Sequence, residues 1–155
     1  VYVGHASAAH DRDGSAEQAA LHLAEPEPLT AADIMVMGLP IPPRVALVAC
    51  ASGADYRFDE ATGLVAAMIL GGAQVVTATL WSLPTAAGYR TATATDGDPM
   101  AEAIIAVDPA HEATTPARAV NRWQRDCLRR WRTGGAALSP VYWAAMMSFT
   151  VDGAR

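Results

Sequence analysis

Val45-Ala46-Leu47-Val48-Ala49-Cys50-Ala51-Ser52-Gly53 is the stretch on which the fold turns. Its first part is a short, continuous apolar run behind three prolines, Pro40, Pro42 and Pro43, that forbid helix. Such a run reads as a strand buried on both faces, the kind found in parallel sheets flanked by helices. Val1-Tyr2-Val3-Gly4-His5-Ala6 has the same character, and Gln74 to Leu80 supplies a third apolar run. The first two runs each end in a residue able to do acid–base or nucleophilic chemistry, His5 and Cys50.

Helical segments alternate with these runs. Thr30 is placed to cap a short helix that carries Asp33 and stops at Gly38. A second helix is expected from about Asp59, with Leu64, Met68 and Ile69 on its buried side and Gly71-Gly72 as its stop. The order strand, helix, strand, helix, strand with short links predicts a βαβ arrangement and a mainly parallel sheet. Leu21-His22-Leu23 is a further short strand candidate. Beyond Pro84, one or two helices are expected between Thr85 and Val107, around a loop at Asp96-Gly97-Asp98-Pro99. Pro116 opens a stronger helix in which Val120, Trp123, Cys127 and Trp131 share one face, and Gly134-Gly135 ends it. Tyr142 to Val151 reads as a last strand.

Composition narrows the functional classes. The 155 residues suit one domain with a real core, and with 52% apolar against 17% charged residues they can cover strands on both faces. A net charge of −5 predicts no general attraction to nucleic acid or to a membrane surface. Every basic residue is Arg, and the cluster from Arg118 to Arg132 reads as a solvated helix face. Two cysteines, Cys50 and Cys127, make no disulfide framework, and no two Cys or His residues stand at zinc-ligand spacing. Ala61 to Leu80 is apolar enough to suggest a membrane span, but Gly71-Gly72 divides it into a helix-length and a strand-length piece. No signal peptide is visible, so a cytoplasmic location is expected. A chain that opens directly on a strand is expected to be a segment of something longer.

Parallel strands deliver their ends to one carboxyl edge, where α/β proteins build their sites. His5 and Cys50 would meet there. A thiolate attacks a carbonyl far better than a thiol, and a neighbouring imidazole both lowers the thiol pKa and protonates the leaving amine. Taken singly, Cys50 reads as a small core residue and His5 as a hydrogen-bonded strand-end histidine; the matched pair reads as a nucleophile and its acid–base partner. Ala51-Ser52-Gly53 would let a substrate backbone approach. His10, His22 and His111 stand in polar or turn-like settings without partner spacing and receive no role. Cys127, on the apolar side of its helix, reads as an unreactive thiol. No phosphate-binding glycine loop or serine elbow is present.

Seven ordered pieces carry a resemblance. They are Tyr2-Val3-Gly4-His5-Ala6, Leu29-Thr30-Ala31-Ala32-Asp33-Ile34, Val48-Ala49-Cys50-Ala51-Ser52-Gly53, Gly63-Leu64-Val65-Ala66, Gly72-Ala73-Gln74-Val75-Val76, Leu80-Trp81-Ser82-Leu83-Pro84 and Ser139-Pro140-Val141-Tyr142-Trp143-Ala144-Ala145. Over nearly its whole length the chain resembles the CHAT domain, a caspase-like module often found beside tetratricopeptide repeats. The 45 residues from His5 to Cys50 lie close to the roughly 50 of caspase-type enzymes.

The resemblance implies a caspase-like three-layer α/β/α fold over residues 1–155, as a portion that holds the His and Cys motifs but lacks N-terminal elements. It implies a cysteine endopeptidase with Cys50 as nucleophile and His5 as general acid/base. The backbone N–H groups of Cys50 and Ala6 would hold the oxyanion; Ala6 stands where caspases carry glycine. Trp81 and Ser82 would line the substrate pocket, and Asp55 could sit near it and favour a basic substrate residue. Tyr142 and Trp143 are expected to pack the core. Thr85 replaces the aspartate usual after the Leu-Trp motif. The implied partners are a protein or peptide substrate and a sensor or repeat domain in the same or an associated chain; no cofactor, metal, nucleic acid or membrane is expected. Two other readings remain: a catalytically silent caspase-like module for signalling or assembly, and a doubly wound domain binding a small ligand at its carboxyl edge.

Overall fold

A computed structural model describes residues 1–7, 16–24, 26–51, 59–93, 96–134 and 139–151; the side chains of residues 16, 50, 51 and 59–62 fall outside that description. The elements are β1 (Tyr2–Ser7), a 3-10 turn (Ala16–Gln18), β2 (Ala20–His22), β3 (Leu29–Thr30), α1 (Ala31–Met37), β4 (Arg44–Ala51) and α2 (Asp59–Leu70). They continue with β5 (Val75–Thr79), α3 (Ala86–Thr93), α4 (Pro99–Glu112), α5 (Pro116–Arg132), α6 (Pro140–Trp143) and β6 (Met146–Thr150).

The strands form one sheet in the order β3-β2-β1-β4-β5-β6. Apolar layers cover both of its sides. Leu47 and Val76 pack under α1 and α2 with Ile34, Leu64 and Met68, while Ala46 and Val48 pack under α4 and α5 with Val107 and Val120. Each fully buried valine, such as Val48 or Val76, is worth about 1.5–3 kcal/mol of transfer free energy. This is an α/β/α arrangement.

The sheet is mixed, which corrects the expectation of a mainly parallel one. Only the β1–β4 and β4–β5 pairs are parallel; the β1–β2, β2–β3 and β5–β6 pairs are antiparallel. The cause lies in where the chain re-enters. After β5 leaves the sheet at its carboxyl edge, α6 is tied to that same edge: the Tyr142 hydroxyl donates to the Pro84 carbonyl (3.0 Å) and the Leu80 amide to the Ala145 carbonyl (2.8 Å). β6 therefore starts where β5 ends and must run backwards beside it. Tyr142, expected within the last strand, sits instead in α6 and is buried with Trp143 in the core.

Local chemistry explains the helix limits. Thr30 caps α1 in a reciprocal box with Asp33: Thr30 Oγ1 accepts from the Asp33 amide (3.0 Å) and Asp33 Oδ2 accepts from the Thr30 amide (3.0 Å). Gly38 ends the helix at φ 58°, a left-handed conformation natural to glycine. On α5, Val120 and Cys127 are buried as expected, whereas Trp131, on the overhanging last turn, is 46% exposed. Among the described residues no helix is long and apolar enough to cross a membrane.

Candidate active site

β1 alternates. Tyr2 and Ala6 pack toward the α1/α2 layer, and the opposite face, holding Val3 and His5, is exposed. On that face α4 packs on β4, and Val48 is fully buried while its register partner Val3 is 46% exposed. His5 therefore stands open to solvent at the carboxyl end of its strand.

The parallel register of β1 and β4 pairs Tyr2 with Leu47, Val3 with Val48, Gly4 with Ala49 and His5 with Cys50. His5 and Cys50 thus occupy partnered positions on adjacent strands, whose backbones lie about 4.8 Å apart in a sheet. The expectation that the two residues reach one edge side by side is met by their backbones. Ser52 and Asp55 lie outside the described residues.

A tyrosine hydroxyl holds the histidine end of β1. The Tyr2 hydroxyl lies across Gly4 and shares its proton between the carbonyl oxygens of His5 (3.0 Å) and His22 (2.9 Å). Partial burial pushes the Tyr2 phenol up, so it stays a donor at neutral pH. His22 is the antiparallel partner of His5, and its Nε2 lies 2.8 Å from Ser7 Oγ. Sequence spacing gave His22 no role, because its approach to His5 depends on the β1–β2 pairing. The one local signal was the strand pattern at Leu21-His22-Leu23.

Beside this edge is a small cavity of about 50 Å³, lined by Ala6, Ser7, Leu21, Leu47, Ala49, Leu64, Ala78, Thr79, Leu80, Trp81 and Ser82. Most of its lining residues are apolar, and Ser7, Thr79 and Ser82 are the hydroxyl-bearing ones among them. The structure thus gathers Ala6, Trp81 and Ser82 around one space. Trp81 is fixed by donation from its indole Nε1 to the Val141 carbonyl (2.9 Å).

Two other groups lie apart. Cys127 is fully buried on α5, and burial pushes its thiol up, away from the reactive thiolate. His111, expected in a polar or turn-like setting, is buried on α4 with Nε2 2.8 Å from Thr77 Oγ1. His10 lies outside the described residues. Among the described residues no three His, Cys, Asp or Glu side chains gather into a metal site.

By class, then, this is an α/β/α protein whose candidate site lies where its central parallel strands end. A family model described as the CHAT domain matches residues 1–153, and the chain belongs to that family, which is caspase-like and peptidase-related. No curated protein and no solved structure matches the chain.

Proposed function

We propose that the chain is a cysteine endopeptidase of the caspase-like type. The observation that carries this reading is the register pairing of His5 with Cys50 at the end of two parallel strands. In the proposed reaction the Cys50 thiolate adds to the scissile carbonyl carbon, and the carbonyl electron pair moves to oxygen. The N–H groups of Cys50 and Ala6 stabilise that oxyanion; one such donor is worth about 10²–10³ in rate. The carbon–nitrogen bond then breaks, and the imidazolium of His5 gives its proton to the departing amine. A water deprotonated by His5 hydrolyses the thioester, releasing the carboxylic acid and restoring the thiol. No cofactor enters these steps.

The cavity flanked by Trp81 and Ser82 is proposed to take the substrate side chain before the scissile bond. Its described lining is uncharged, which favours a small apolar group. A basic side chain would require Asp55 to supply the negative charge. The effector role under an attached or associated sensor rests on the family.

Cys50→Ala and His5→Ala, each folded as judged by circular dichroism, are expected to abolish cleavage of a peptide library in the full chain. Cleavage retained by either variant overturns the dyad. If the native chain cleaves nothing and Cys50 titrates as an ordinary thiol, two readings are left: a latent enzyme whose dyad assembles only under its sensor, or a caspase-like assembly module.

A further inference from the structure

We propose that the outer face of α5 is a docking surface for an acidic helix of a partner protein. Arg118, Arg122, Arg125, Arg129 and Arg132 follow one another at spacings of four, three, four and three, and all five are exposed. At 100° per residue they fall within about 80° of arc, opposite the buried Val120 and Cys127, and extend about 21 Å along the axis. Ala117 and Asn121 complete a shallow groove beside the first four.

The spacing of charges departs from the mixed pattern of the solvated helix face that the sequence suggests. Solvated helices interleave acids with bases at three and four residues, whereas like charges at those spacings destabilise the helix. Here each arginine of the stripe faces another. On α5, Arg129 pairs with Asp126, while among the described residues Arg118, Arg122 and Arg125 have no carboxylate partner. The helix dipole favours Arg129 and Arg132 in the last turn but opposes Arg118 in the first. The arrangement works against the isolated helix and is relieved by an anionic partner.

Charge and spacing select the partner. Six of the eleven basic residues and one of the sixteen acidic residues lie on α5, giving the helix a formal +5 and the remaining sequence −10. A long polyanion such as RNA would meet that acidic remainder, and the stripe offers no aromatic platform for stacking bases. A single helix confines its charge to the stripe. A three-and-four repeat keeps two helices in register side by side, and guanidinium groups bind carboxylates in bidentate pairs.

The test uses a labelled helical peptide of about 20 residues with Glu at its heptad a and d positions, its binding to the full chain read by fluorescence anisotropy. The combined variant Arg118→Gln, Arg122→Gln and Arg125→Gln is expected to bind it about tenfold more weakly. The corresponding lysine variant, which keeps the charge, should recover part of that loss. Because all three positions are exposed, the glutamine variant should melt no lower than the native chain. Equal peptide binding by the native chain and the glutamine variant overturns the proposal. So does tighter binding of a uridine oligomer or of phosphatidylserine vesicles than of the peptide.

Discussion

The Tyr2 phenol occupies the space that a side chain at Gly4 would need. A Cβ built at Gly4 stands 2.5 Å from Tyr2 Oη and 2.7 Å from Cζ, well inside van der Waals contact. Gly4 is therefore required so that the ring can lie along β1 and its hydroxyl can reach the His5 and His22 carbonyls.

Gly4→Ala should push the Tyr2 phenol aside and cost about 0.5–1.5 kcal/mol, mainly through its lost hydrogen bonds. Tyr2→Phe keeps the ring and loses the bond, at about 0.5–1.5 kcal/mol. Urea midpoints measure both. An alanine variant as stable as the native chain would show that Tyr2 does not lie over Gly4.

Alkylation should separate the two thiols. Cys50, proposed as a thiolate beside His5, is expected to react with iodoacetamide below the ordinary thiol pKa of about 8.5, and to lose that reactivity in His5→Ala. Cys127, fully buried with its thiol pushed up, should stay unlabelled until the protein unfolds. Peptide mass spectrometry across a pH series reads both sites. Cys127→Ala is expected to retain cleavage activity, and losing it without unfolding would mean the wrong thiol had been assigned.

His111 links stability to pH. Burial, with the nearby Arg44 cation adding to it, holds its imidazole below the usual histidine range, so the native state keeps it neutral. The unfolded chain takes up a proton below about pH 6.5. A lowered native pKa therefore contributes stability above that pH, and the contribution is lost as the pH falls toward the native value. His111→Gln can still bond Thr77 but does not titrate. Its urea midpoint should fall less than that of the native chain between neutral pH and about pH 5. Identical slopes would place the acid sensitivity elsewhere.

Trp81 should govern substrate binding more than chemistry. Trp81→Phe loses donation to the Val141 carbonyl and loosens the cavity wall, so KM is expected to rise several-fold with kcat little changed. Steady-state kinetics on a peptide substrate test this. A fall in kcat at constant KM would count against a binding role.

Much of this architecture was legible in local sequence because local physics decides it. Thr30 and Asp33 form their capping box within four residues, Gly38 ends α1 through its own backbone freedom, and Ala46 to Ala49 of the apolar run are buried in the sheet. His5 and Cys50 could be nominated for the same reason, since each ends a run of strand character. What lay beyond the sequence depended on how segments pair at a distance. The antiparallel run of β6 follows from α6 being tied to the carboxyl edge, by bonds spanning 58 and 65 residues. His22 came beside His5 through the β1–β2 pairing, and His111 met Thr77 because α4 packs on the sheet. Spacing along a chain fixes which residues a strand or helix can present, but only the pairing of strands and the packing of layers decide which of them meet.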